Sequence, residues 1–251
     1  MTDGNKLPSW SQILLAGVLV ALVGGAFWLK SRPTMPIGAT AGLESVSSIL
    51  EQGIQAHNAR QYEQAVEWYH RVLAQDPGHP VAHYNLGQIY TVQGQPAKAQ
   101  WEYEAVLRAD PRHLDAWINL GVALYRQRKF QEAAEASRQA LTLSPRHPMA
   151  LFNLGVTLLE MDRPDQAITW LTAALQEDQK RADTHYYLGH AYLKQQRVAE
   201  ARRSLEKAIA LNPDLQMAHL TLAKLARQQG DSKGVQEALK GVTGLLPGQK
   251  R

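Results

Sequence analysis

The chain has 251 residues, a formal net charge of +4 from 27 basic and 23 acidic side chains, and no cysteine. Disulfides, thiolate nucleophiles and cysteine-bound zinc are therefore excluded. A charge excess this small, spread in both signs, does not mark a nucleic-acid surface, and no nucleic-acid partner is expected.

A short tail, 1–9, precedes an apolar stretch that runs from Trp10 to Leu29 and carries no charge. Twenty helical residues at ~1.5 Å each span roughly 30 Å, the hydrocarbon thickness of a bilayer. Trp10 and Trp28 stand near its ends, where interfacial indoles belong, with Lys6 before it and Lys30 and Arg32 after it. The stretch 10–29 is predicted to be a single membrane-anchoring helix in a plasma (inner) membrane. The flanking charges leave open on which side the rest of the chain lies. The alternative is a cleaved signal peptide with Ile13 to Val23 as its core and Gly24 and Ala26 near the cut, releasing a soluble periplasmic or secreted chaperone. Residues 30–45 hold Pro33, Pro36, Gly38 and Gly42 and read as a linker.

From Val46 to Pro247 one 34-residue pattern recurs six times. The copies are 46–79, 80–113, 114–147, 148–181, 182–215 and 216–247, with a tail at 248–251. One column reads Gly53, Gly87, Gly121, Gly155, Gly189 and Ala223. Another reads Ala65, Ala99, Ala133, Ala167, Ala201 and Val235. A third reads Pro77, Pro111, Pro145, Gln179, Pro213 and Pro247. A strict period of this length signifies stacked units that bury their apolar faces only against one another.

The third copy shows the unit. Trp117, Leu120, Gly121 and Leu124 fall at i, i+3, i+4 and i+7, one face of a helix. After the polar run Arg126 to Lys129, a second helix presents Phe130, Ala133, Ala134, Ser137, Ala140 and Leu141, and Ser144-Pro145 ends it. Gly121 and Ala133 are expected where the two helices cross, because small residues let backbones approach.

These residues resemble the tetratricopeptide repeat. The second copy matches through Leu86, Gly87, Tyr90, Ala99, Tyr103 and Pro111, the fourth through Leu151, Leu154, Gly155, Leu158, Ala167, Leu171 and Ala174. The departures are local: Gln52 in the first copy, Gln179 in the fourth, and Ala223, Gly234, Gly241 and Gly244 in the sixth. The resemblance implies an all-α fold, a right-handed α-solenoid of six helix-turn-helix repeats, with the first helix of each repeat lining a concave groove. It implies no reaction and no cofactor.

The resemblance places a groove stripe on Tyr84, Asn85 and Gln88 in the second copy, and on Ile118, Asn119 and Val122 in the third. It continues with Met149, Phe152, Asn153 and Val156 in the fourth, and Tyr186 and His190 in the fifth. The apolar members either face solvent as a strip for an apolar peptide or amphipathic helix, or pack against the neighbouring repeat. The Asn column either meets a bound peptide or serves the repeat itself. Lysines that clamp a chaperone carboxylate in some relatives are replaced here by Leu50 and Tyr84, so no such clamp is expected.

Three histidines, His79, His113 and His147, recur one repeat apart in the turns. Repeats ~10 Å apart cannot bring them within ~2.1 Å of one metal ion, so they are expected to cap helices. His83, His185 and His219 replace the packing aromatic of the first helix and are expected to be half-buried. No nucleotide loop, serine elbow or metal-binding His pair is present, and no enzyme activity is expected. In the sixth copy the apolar face around Leu239, Val242 and Leu245 is expected to stay partly uncovered and to permit self-association. The whole reads as a membrane-anchored, non-catalytic scaffold that holds a protein or peptide partner in its groove.

Overall fold

The computed structural model describes residues 44–243. The predicted membrane helix 10–29 and nearly all of the linker lie outside these residues. Among those described, no helix is long and apolar enough to cross a membrane.

Twelve α-helices follow one another among the described residues. They are α1 (Val46–Asn58), α2 (Tyr62–Gln75), α3 (Pro80–Val92), α4 (Pro96–Ala109), α5 (Leu114–Arg126) and α6 (Phe130–Leu143). The second half comprises α7 (Pro148–Glu160), α8 (Pro164–Glu177), α9 (Ala182–Lys194), α10 (Val198–Leu211), α11 (Gln216–Gln228) and α12 (Ser232–Thr243). Each helix packs on the next in sequence. The odd helices of successive repeats also touch, α3 with α5, α5 with α7 and α7 with α9, so they form one layer of the solenoid.

Local chemistry sets the helix ends. Ser45 caps α1 by accepting the Ser48 amide at 3.2 Å. His79 and His113 cap α3 and α5 as expected, their Nδ1 atoms accepting the Ala82 and Ala116 amides at 3.4 and 3.2 Å; His147, expected to do the same before α7, makes no side-chain cap hydrogen bond. Pro80, Pro96, Pro148 and Pro164 stand in the first turn of their helices, where a missing N–H loses nothing. Between repeats, the side-chain oxygens of Asp76, Asp110, Asp178 and Asn212 each accept the amide two residues on, which nucleates the turn. Within repeats, the turn passes through the left-handed region at Arg60, Gly94, Arg128, Asp162, Gln196 and Gly230. Only two of these six are glycine.

A second recurrence ties each turn to the following helix. Trp117 donates its indole N–H to the Pro111 carbonyl at 2.9 Å. The Nε2 atoms of His83, His185 and His219 meet the carbonyls of Pro77, Gln179 and Pro213 at 3.0, 3.1 and 2.9 Å. Histidine therefore does here what the tryptophan of the third repeat does, holding the carbonyl six residues back. His185 is half-buried as expected. His83 and His219 are buried outright, which corrects the expectation for them. His83 is further locked by Glu102, whose carboxylate lies 2.7 Å from Nδ1.

The glycine column works through the side chain sixteen residues later. A Cβ at Gly53 would lie 2.7 Å from Cε1 of Tyr69, and one at Gly87 2.6 Å from Cε1 of Tyr103. At Gly155 and Gly189 it would meet Cγ of Leu171 at 2.7 Å and of Leu205 at 2.9 Å. Tyr69, Tyr103, Leu171 and Leu205 are fully buried and form the spine of the core. Gly121 differs: its nearest neighbour would be the Ser137 hydroxyl at 3.3 Å, with the Ala133 carbonyl at 3.5 Å. The expected Gly121–Ala133 crossing is present, but the tight partner in the other repeats is a large side chain, not the alanine.

Candidate functional site

On the exposed face of the odd helices a recess of about 330 Å³ opens between α5, α7 and α9, at the lower end of the range typical of small-ligand clefts. From α5 come Gly121, Val122, Tyr125 and Arg126. From α7 come Met149, Phe152, Asn153, Val156 and Thr157, and from α9 comes Tyr187.

Aromatic packing shapes the recess wall. Phe152 meets Tyr187 edge-on with ring centroids 5.6 Å apart, and Tyr187 meets Tyr186 at 5.1 Å. The guanidinium carbon of Arg181 sits 4.4 Å over the Phe152 ring, and the same group donates to the Met149 sulfur. Such a cation over an aromatic face stabilises by about 0.5–2 kcal/mol depending on desolvation. Burial pushes the Tyr125 hydroxyl up to about 12, and the Glu160 carboxylate beside it adds to the rise. Tyr187 is raised for the same first reason, burial, with Tyr186, Asp183 and Glu160 contributing. Both phenols are therefore neutral donors at physiological pH.

A second recess, about 430 Å³, lies between α9 and α11. Tyr186, His190 and Lys194 form one side, and Met217, Thr221, Lys224 and Gln228 are on the other. Burial lowers the His190 pKa, and Lys194 and Lys224 lower it further against an opposing Glu160, so the imidazole is neutral. Tyr186 stacks parallel on it at 6.5 Å. The two recesses share a wall, since Tyr187 lines the first and Tyr186 the second.

Of the twelve predicted groove residues, Val122, Met149, Phe152, Asn153 and Val156 line the first recess, and Tyr186 and His190 the second. Tyr84, Asn85, Gln88, Ile118 and Asn119 line neither. Tyr84 is engaged within the protein: it stacks on His113 with centroids 5.0 Å apart, and its hydroxyl accepts from the Asn119 amide at 3.1 Å. Gln88 also reaches that hydroxyl. Asn85 lies beside the Tyr69 hydroxyl, whose pKa burial pushes up to about 12 against the lowering effect of that contact. Ile118 and Val156 are buried at 6% and 5% exposure, while the other ten are half-buried. The stripe thus both packs between repeats and presents its edges to solvent.

Sequence reading missed Tyr125, Arg126, Thr157 and Tyr187 on the first recess, and Arg181 above Phe152. Which neighbours leave space around them is set by packing across helices, which periodicity does not record. Among the described residues no cluster of metal-ligating side chains occurs.

No curated protein matches the chain. Solved structures do. YrrB, described as a tetratricopeptide protein with an unusual peptide-binding site, is similar at 25% identity and a TM-score of 0.62, covering 70% of this chain and 90% of its own. PilF of Pseudomonas aeruginosa aligns at 23% identity with a TM-score of 0.67, over 81% of this chain and 93% of that one. PilW, described as a widely conserved type IV pilus biogenesis factor, aligns at 18% identity with a TM-score of 0.72, over 82% and 95%. The last two likenesses establish the fold alone. The family model described as the cilia and flagella-associated protein 70 C-terminal domain, a tetratricopeptide array, matches residues 28–250. Twelve stacked helices, the 34-residue glycine column and that match together place the chain in this tetratricopeptide-repeat family.

Proposed function

We propose that this protein is a membrane-anchored, non-catalytic scaffold that holds a partner protein or peptide on the face formed by its odd helices. The observation that carries the reading is the recess walled by Phe152, Met149, Val156 and Tyr187. Apolar side chains gathered round an open depression lose free energy to water unless something covers them. The likeness to a peptide-binding tetratricopeptide protein agrees with it. The anchor is the apolar stretch 10–29, which would keep the groove near a lipid surface.

Two measurements test this. In cells, crosslinking followed by pull-down of the full chain is compared with Phe152→Glu/Tyr186→Glu. A charge in each recess should remove the partner bands that the unaltered chain captures, while helicity by circular dichroism stays equal. Unchanged capture by the double variant overturns the groove. Extraction of membranes with alkaline carbonate tests the anchor: the full chain should stay in the pellet, and a chain lacking 1–29 should not. Release of the full chain with its first thirty residues still attached overturns anchoring.

A further inference from the structure

The second and fifth repeats treat the same histidine differently. In the second, His83 is held at both ring nitrogens. Its Nε2 meets the Pro77 carbonyl at 3.0 Å and its Nδ1 the Glu102 carboxylate at 2.7 Å, with Trp101 edge-on to the ring at a centroid distance of 5.6 Å. In the fifth, His185 repeats the first contact, Nε2 meeting the Gln179 carbonyl at 3.1 Å. Arg203 and Ser204 stand there in the places of Trp101 and Glu102. The Ser204 hydroxyl turns back onto the Glu200 carbonyl at 2.9 Å, so Nδ1 of His185 has no hydrogen-bonding partner among the described residues. The space is open: a recess of about 310 Å³ is bordered by His185, Arg203 and Ser204 themselves, over Leu175 and Leu188. A second recess of about 390 Å³ adjoins it, sharing Leu175, His185 and Lys207 and adding Lys180. Neither shares a residue with the two recesses of the groove.

The rim is cationic. Lys180, Arg203 and Lys207 are exposed and form no ion pair among the described residues. The one carboxylate that borders either recess, Glu200, is held by Arg197 at 2.9 Å. Like charges gathered round an apolar floor repel one another and attract an anion. The Nε2 hydrogen of His185 is committed to the Gln179 carbonyl, so Nδ1 donates only when the ring carries a second proton. We propose that the paired recesses between α8, α9 and α10 are a second binding site, apart from the groove, for an acidic segment of a protein partner. One carboxylate of that segment bonds the Nδ1–H of protonated His185 and the Lys207 ammonium, and its neighbours meet Lys180 and Arg203. Facing the imidazole are Lys207, Arg203 and Glu200 from α10, Lys180 from the turn and Tyr192 from α9; α8 contributes the apolar Leu175. Burial lowers the pKa of the free imidazole, the Gln179 carbonyl opposes this and Lys207 adds to the lowering. A bound carboxylate raises it, so binding takes up a proton and weakens as pH rises through the bound-state value.

The probe is acetyl-tetraglutamate amide, with acetyl-tetraglutamine amide as its neutral match and glutarate as a free dicarboxylate. Binding to the full chain in detergent is read by calorimetry at constant ionic strength. The glutamate peptide should bind and the glutamine peptide should not, with affinity falling about fivefold between about pH 6 and pH 8. His185→Phe should remove that pH dependence, and Lys207→Glu, at an exposed position, should weaken binding about tenfold. Ser204→Glu supplies within the chain the carboxylate that Glu102 gives His83. It should compete with the peptide to a similar extent and raise the His185 pKa above 6.5, read by nuclear magnetic resonance of the imidazole. A pH dependence that survives His185→Phe, or a peptide affinity indifferent to Lys207→Glu, overturns the site. Glutarate binding as tightly as the peptide makes it a small-anion site and overturns the acidic segment. Phe152→Glu/Tyr186→Glu should leave the peptide affinity unchanged, so this site and the groove stand or fall separately; an equal loss in that variant overturns their separation.

Discussion

Alanine in the glycine column should be harmful in one repeat and harmless in another, for a reason visible only across the helix pair. In Gly155→Ala the new methyl carbon would sit 2.7 Å from Cγ and 2.9 Å from Cδ2 of Leu171, and 3.2 Å from its backbone nitrogen. Carbon atoms rest at about 3.5–4.0 Å, so Leu171 must move by close to an ångström. Leu171 has no exposed surface and nowhere to go. Overpacking of this kind costs about 1–3 kcal/mol, against about 1 kcal/mol that alanine gains over glycine inside a helix. The net expectation is a loss of up to about 2 kcal/mol. In Gly121→Ala the nearest atom is the Ser137 hydroxyl at 3.3 Å, so the helical gain should offset the crowding and leave stability within about 0.5 kcal/mol of the parent. Urea unfolding of the full chain followed by circular dichroism reads both. Because repeat arrays unfold segment by segment, the midpoint of the central transition is the quantity compared. Equal destabilisation by the two substitutions would refute the argument, since it would make helix separation, and not the side chain at position 137 or 171, the determinant.

Two further outcomes are expected. The Glu102 carboxylate, by hydrogen-bonding His83, holds that imidazole pKa above 6.5; burial opposes this, and the Pro77 carbonyl and the charge of Glu102 support it. A raised folded-state value means stability that is complete below the unfolded value and is lost as pH rises through the folded one. The stability advantage of the parent over Glu102→Gln should therefore be largest near pH 6 and shrink, by on the order of 1 kcal/mol, toward pH 8.5. His57, His185 and His190 have pKa values lowered chiefly by burial and act in the opposite direction, which is why the difference between the two proteins, and not either curve, is measured. A difference that grows with pH would contradict the pairing. Separately, Gln196 occupies the left-handed region at φ 59°, a conformation that disfavours side chains with a Cβ. Gln196→Gly should raise stability by about 0.5–1 kcal/mol in the same urea assay; a loss would show that the turn carries no strain.

Much of the architecture was legible in the residues. The 34-residue period required stacking, because thirteen- and fourteen-residue helices with one apolar face cannot shield themselves. The polar run Arg126 to Lys129 and the break at Ser144-Pro145 enclosed what became α6. His79 and His113 were recognisable as caps from their place before a helix. The groove was legible only as a stripe. Tyr84 and Phe152 hold equivalent positions in the repeat, yet one is bound into a Tyr84–Asn119–His113 contact between repeats and the other walls an open recess. Periodicity treats them alike because it records which face a residue shares, and not what stands opposite.

Ser137 shows where that limit lies. In the sequence it is one small residue on the inner face of a helix, unremarkable among alanines. Helical periodicity and turn chemistry are local properties, set by neighbours a few positions away, so the order of residues alone determined twelve helices and their pairing. Volume is a property of everything that meets at a point. How much room lies beneath Gly121 or Gly155, and whether Tyr84 or Phe152 finds a partner, depends on side chains from several helices, and only their packing decided it.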